Sequence, residues 1–103
     1  MNNYSIIITQ RAYSSIIDCV AFVNNISNEA ANQLYDEIIS SLNSLSTFPN
    51  KYPEIQNLLI RDSKVRKMPI HNGRYVALYK VDVNSVCIYD VIDTRKDNIL
   101  LKI

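Results

Sequence analysis

Asn72-Gly73 constrains this chain more than any other feature of its sequence, because it lies between two runs of strand-forming residues. A two-residue type I′ turn needs positive φ at both central positions, and Asn-Gly is its preferred filling. A hairpin built on that turn has a fixed register: His71 opposite Arg74, Ile70 opposite Tyr75, Met68 opposite Ala77, and Arg66 opposite Tyr79. Asn84-Ser85 reads as the next turn, setting Val81 against Ile88, Tyr79 against Asp90, and Ala77 against Ile92. Side chains alternate across a sheet, so two faces separate. One carries Met68, Ile70, Tyr75, Ala77, Val81, Val86, Ile88 and Ile92 and is expected to pack on helices. The other carries Lys67, His71, Arg74, Val76, Leu78, Lys80, Tyr89 and Val91, with Arg95 just beyond, and is expected to be open. A slip of one residue would exchange the faces. The register also puts Arg66, Tyr79 and Asp90 in a polar row on the apolar face, where an Asp–Arg pair and a tyrosine hydroxyl can satisfy one another.

Upstream, Tyr4-Ser5-Ile6-Ile7-Ile8 is short and β-branched, as a strand buried on both faces would be. Thr9 can cap a helix whose apolar residues Tyr13, Ile16, Ile17, Val20 and Val23 recur at helical spacing, with Asn24-Asn25 as the stop. Ser27 can cap a second helix, with Glu29 in its first turn against the positive end of the dipole. Ala31, Leu34, Tyr35, Ile38, Ile39, Leu42 and Leu45 form its apolar stripe. So short a link makes an antiparallel hairpin. Phe48-Pro49 ends the second helix and Tyr52-Pro53 keeps the chain extended. Residues 50–63 read as a surface loop.

The 103 residues are expected to form one domain, 1–103, and their 48% hydrophobic content argues against disorder. No apolar run approaches the roughly 20 residues that span a bilayer, and Met1-Asn2-Asn3-Tyr4 lacks the start of a signal peptide. A cytoplasmic protein is expected. Cys19 and Cys87 match no disulfide framework or metal motif and read as small buried hydrophobes; no metal or cofactor is expected. The net charge of +1 hides an asymmetry. Residues 1–50 hold one base and four acids, whereas residues 51–103 hold ten bases and six acids. The excess suits an anionic partner or a solvated basic surface, and is too small for strong nucleic-acid affinity.

The order strand, helix hairpin, Pro-containing loop and three-stranded meander resembles the RelE/ParE superfamily of bacterial toxins. So do four local features. They are Thr9 leading into Arg11-Ala12, and Leu45 leading to Phe48-Pro49. Then come Val65-Arg66-Lys67-Met68-Pro69 with Tyr75-Val76-Ala77-Leu78-Tyr79-Lys80-Val81, and Val91-Ile92-Asp93-Thr94-Arg95-Lys96-Asp97. The resemblance implies an α+β fold, β-α-α-β-β-β, with the helical hairpin on a curved antiparallel sheet. It implies the toxin of a type II toxin–antitoxin pair.

The superfamily holds two activities. RelE-like members cut messenger RNA on the ribosome; ParE-like members act on DNA gyrase without being nucleases. Metal-free RNA cleavage needs a group to activate the 2′-hydroxyl, a cation for the developing charge and a donor for the leaving oxygen. Lys67 and Arg95 fall where RelE-like members place basic residues and are the catalytic candidates. Val76 stands where that pattern has an arginine, and Pro69 where it has a lysine. Residues 98–103 hold no Tyr, His or Glu, and His71 lies at a hairpin tip. The ParE-like reading ranks first; a ribosome-dependent RNase and a degenerate member without toxicity are the alternatives. The expected antitoxin or target contacts are Lys67, Arg74, Val76, Leu78, Lys80, Tyr89, Val91 and Arg95. Such a mixture of apolar groups and cations suits an acidic amphipathic peptide. Alternatively, Ile99-Leu100-Leu101 of the same chain, or a second copy in a homodimer, covers this face.

Overall fold

The computed structural model describes residues 3–55 and 64–96. The elements follow as β1 (Ser5–Ile8), α1 (Gln10–Asn24), α2 (Asn28–Ser44), β2 (Arg66–Ile70), β3 (Tyr75–Val81) and β4 (Ser85–Asp93). The sheet order is β1-β4-β3-β2. The meander of β2, β3 and β4 is antiparallel, while β1 joins β4 in parallel, so the sheet is mixed.

Both helices begin where the sequence places their caps. The Thr9 hydroxyl accepts a hydrogen bond from the Ala12 N–H, and the Ser27 hydroxyl accepts one from the Ala30 N–H. Each satisfies one of the donors that a helix start leaves without a partner. The Thr9 hydroxyl also reaches the Ile88 carbonyl at 3.0 Å, which fastens the start of α1 to β4. On α2, Ala31, Leu34, Ile38 and Leu42 are buried, as the stripe requires. On α1 the buried line runs through Ala12 and Ile16, and Tyr13 and Ile17 are exposed. The inward face of α1 is thus rotated from the one the apolar spacing suggests. β1 also departs from expectation. It is an edge strand with Ile7 half exposed, not a strand buried on both faces.

The β2–β3 register is the one dictated by Asn72-Gly73, with Ile70 on Tyr75, Met68 on Ala77 and Arg66 on Tyr79. Asn72 and Gly73 both take positive φ, and so does His71. The β3–β4 register differs. Val81 pairs with Val86 and Tyr79 with Ile88, because the turn falls at Val83-Asn84, closed by Asp82 N–H to the Ser85 carbonyl at 2.8 Å. Beyond that the ladder shifts between Leu78 and Tyr79, so Leu78 meets Asp90 and Ala77 meets Val91. A β-bulge of this kind inserts one residue and reverses the alternation beyond it. Val91 therefore joins the core under the helices, and Ile92 turns to the opposite face.

The bulge also dissolves the expected polar row. Asp90 is drawn to α1, where Arg11 (3.1 Å) and Ser15 bind its carboxylate. Arg66 instead donates to the Tyr52 carbonyl and lies 3.5 Å from Glu54. Tyr79 is fully buried, and its hydroxyl donates to the Pro49 carbonyl.

The face expected to be open is not open at its centre. Val76, Leu78 and Ile92 are buried there with Ile55 and Val65 in a second, smaller core. Ile55 reaches it because its segment pairs along the outer edge of β2. Ile55 N–H donates to Val65 at 2.8 Å, and Lys67 N–H donates to Pro53 at 3.2 Å. Part of the expected surface loop is therefore an extension of the sheet. Residues 56–63 of that loop, and the Ile99-Leu100-Leu101 expected as a cover, lie outside the described residues. No described helix is long and apolar enough to cross a membrane.

Candidate protein-binding site

The sheet and hairpin together leave a cleft of about 330 Å³ at one end of the molecule. Its walls are the last turn of α1, the start of α2, and the tip of the β2–β3 hairpin, with Arg95 closing one side. Each wall is there for a local reason. Asn25 caps α1 and Ser27 caps α2, so the chain reverses within three residues and carries Ile26 out to solvent at 79% exposure. Asn72 and Gly73 turn the other wall, setting His71 and Arg74 on either side of the tip.

Apolar, polar and charged groups share the lining of this cleft. Leu34 and Tyr75 are buried and form part of its lining, whereas Phe22 is 46% exposed. The Lys96 ammonium lies 4.8 Å from the centre of the Phe22 ring, within cation–π range. His71 Nδ1 is 2.8 Å from a Glu37 carboxylate oxygen, which pins the hairpin tip to α2. Arg95 is held by Asp93 through its side chain at 3.2 and 3.3 Å and through its backbone N–H at 3.0 Å.

Asp93 is the buried charged group in this region. Burial alone would push its carboxyl up, but the Arg95 hydrogen bonds and charge outweigh that and hold it below the ordinary carboxylate value. The same contacts raise Arg95. Burial raises the Cys19 thiol, and Asp93 adds to the effect, so Cys19 stays protonated and is a poor nucleophile. Tyr75 is raised by burial first, then by Cys19 and Asp93. Among the described residues no group of His, Cys, Asp and Glu could hold a metal ion.

The residues expected to form one surface are dispersed. Arg74 and Arg95 line the cleft just described. Lys67 lines a different one, of about 460 Å³, together with Tyr52, Pro53, Pro69 and Val76. Its pairing with Leu78 puts Lys67 on the sheet face opposite the helices, whereas Arg95 shares its cleft with helix residues. The two catalytic candidates therefore line different clefts. Val76 and Leu78 are buried in the second core, and Val91 in the first. Lys80 is half-buried, and Tyr89 is 39% exposed beside the bulge, next to Arg11 and Asp90. Phe22, Ile26 and Lys96 escape the sequence reading. The signal available was that Phe22 and Ile26 are large apolar residues with no place in either helical stripe.

The sequence matches the family model of the ParE toxin of the type II toxin–antitoxin system, parDE, over residues 6–98. No curated protein matches it. Among solved structures, a chain described as the chromosomal ParDE TA system from P. aeruginosa superposes with a TM-score of 0.71 at 16% identity. The match covers 87% of this chain and 95% of that one. At that identity the likeness is one of fold, and the fold is the same arrangement of a helical hairpin on a sheet. The chain belongs to the ParE toxin family. It is the toxin of a type II toxin–antitoxin system.

Proposed function

We propose that this toxin acts by binding a protein target, DNA gyrase, rather than by cutting messenger RNA, and that a cognate antitoxin neutralises it by direct contact. The observation that carries this reading is that Lys67 and Arg95 line different clefts. In-line cleavage of RNA needs a base, a cation and a proton donor gathered within hydrogen-bond reach of one phosphate. Lys67 and Arg95 line different clefts, and the Arg95 guanidinium is already engaged by Asp93. His71, the described histidine, is engaged by Glu37. Gyrase as the target rests on the family, whose ParE-like members the sequence resembles more than the RelE-like ones.

Two assays on the purified toxin test the reading. DNA supercoiling by gyrase should fall, or cleaved DNA should accumulate, as toxin is added. Messenger RNA on translating ribosomes should stay intact in the same concentration range. RNA cleavage by the wild type that is abolished in Lys67→Ala or Arg95→Ala would overturn the proposal in favour of a ribosome-dependent RNase.

A further inference from the structure

We propose that this chain pairs with a second copy of itself along the outer edge of β1, the two strands running antiparallel about a two-fold axis at Ile7. The two sheets then become one. The two edges of the sheet are managed differently. β2 carries Lys67 and Pro69, and the chain at Pro53 and Ile55 pairs along its outer side. Charge, proline and cover are the usual ways in which an edge is kept from meeting another strand. β1 is Ser-Ile-Ile-Ile, short but without any of these. Ser5 N–H donates to the Asn84 carbonyl and Thr9 N–H to the Ile88 carbonyl, so the odd-numbered backbone groups face β4. Successive residues alternate, hence the N–H and C=O of Ile6 and Ile8 face outward. Among the described residues nothing bonds to them.

The pattern of free groups selects both the occupant and the register. Tyr4 N–H, the next outward group toward the chain start, is taken by the Ser46 carbonyl at 2.8 Å. Beyond Ile8 the chain turns into α1 at Gln10. The edge therefore offers Ile6 and Ile8 alone. An antiparallel copy centred on Ile7 pairs every one of those groups, Ile6 with Ile8 of the second copy and Ile8 with its Ile6. Centring on Ile6 or on Ile8 would set Tyr4 or the start of α1 against the second copy and leave groups unpaired. The side chains agree with the same register. Tyr4, Ile6 and Ile8 pack on the core under the helices, while Ile7 is 50% exposed on the other face. Ile7 then meets its own counterpart at the closer type of cross-strand position, where β-branched pairs are favourable. β1 carries no charge, and Arg11 beyond its end is matched by Asp90, so no unmatched like charges meet along the strand. A charged partner strand would find no counter-charge here. The contact is smaller than a permanent interface, which makes the dimer a concentration-dependent one.

Sedimentation equilibrium of the full-length toxin should show a monomer–dimer equilibrium, and Ile7→Lys should raise the dimer Kd by on the order of tenfold or more. Because Ile7 is so exposed, this variant keeps the fold. Disulfide trapping then reads the register. Ile7→Cys is made together with Cys19→Ala and Cys87→Ala, because Cys87 is the β4 partner of Ile7 and would capture the new thiol within one chain. On mild oxidation it should give a disulfide-linked dimer, since a non-hydrogen-bonded antiparallel pair sets its Cα atoms about 4.5 Å apart. Ser5→Cys in the same background should not be trapped, because its two copies would stand farther apart than the roughly 7 Å that a disulfide can span. A wild type that stays monomeric at near-millimolar concentration would overturn the proposal. So would a dimer that Ile7→Lys leaves intact, that Ile7→Cys fails to trap, or that Ser5→Cys traps as readily. If the wild type is monomeric and Ile7→Lys weakens binding of the small protein encoded beside its gene, the edge belongs to that partner and self-pairing is wrong.

Discussion

The Tyr79 hydroxyl donates a 2.7 Å hydrogen bond to the carbonyl of Pro49, tying a central strand of the sheet to the segment that leaves α2. Burial pushes the Tyr79 phenol up to about 12, against which the nearby Arg66 charge works in the other direction. Tyr79→Phe leaves the Pro49 carbonyl without this donor and should cost about 1–3 kcal/mol, read as a lower urea midpoint at neutral pH. A folded-state pKa above the unfolded value means stability that is complete below the unfolded pKa of about 10. It is lost as pH rises to about 12. The gap between wild type and Tyr79→Phe should therefore narrow across that alkaline window.

Leu42 of α2 and Ile88 of β4 are both fully buried in the core beneath the helices. Truncating either to alanine should cost roughly 2–5 kcal/mol, the transfer term plus the cavity left behind. Chemical denaturation of each variant measures this directly. Unchanged midpoints in both would contradict the packing described.

Leu78→Glu should unfold the protein more readily than it disturbs any surface. Leu78 is 8% exposed among Ile55, Val65, Val76 and Ile92, so the substitution drives a carboxylate into an apolar cluster. A loss of several kcal/mol is expected, against a change within about 0.5 kcal/mol for a substitution at exposed Val83. Parallel denaturant titrations of Leu78→Glu and Val83→Glu make the comparison.

Asp93 makes stability sensitive to acid. Its folded-state pKa is lowered, with the Arg95 contacts outweighing the opposing effect of burial. The stabilisation is therefore present above the unfolded carboxylate value of about 3.9 and disappears as pH falls through the lower folded value. Arg95→Ala should move the Asp93 carboxyl resonance to titrate at higher pH, and should make acid unfolding begin earlier. Carbon-detected NMR titration of the aspartates distinguishes this from a general loss of charge.

The β2–β3 hairpin was legible because its determinant is local: Asn72 and Gly73 adopt the backbone conformation that their own chemistry favours. The helix caps Thr9 and Ser27 were legible for the same reason. The β3–β4 register was not, since Val83, Asn84 and Ser85 are all acceptable turn residues and nothing local marks a bulge near Asp90. What holds the bulge is non-local, namely Arg11 and Ser15 reaching Asp90 from α1. The open face failed as a reading because Ile55, assigned to a surface loop, returns to the sheet edge and helps bury Val76 and Leu78. Of the cleft lining, Arg74 and Arg95 were named from the sequence, by strand alternation and by resemblance. Phe22 and Ile26 were not, because neither falls in a helical stripe and nothing local says what an apolar side chain at a helix end will meet.

The bulge in β4 gives a single strand two opposite reading frames. Before it the even-numbered Val86 and Ile88 point under the helices; after it the odd-numbered Val91 and Asp93 do. A saturation scan along this strand would show tolerance and intolerance alternating, then skipping a beat at Tyr89 and Asp90. Were the strand to run through Tyr89 without the bulge, one uninterrupted frame would send Ile92 beneath the helices and Asp93 away from Tyr75. The Asp93–Arg95 pair would leave the cleft with it. One residue inserted in the sheet thus decides which chemistry the far end of the molecule presents.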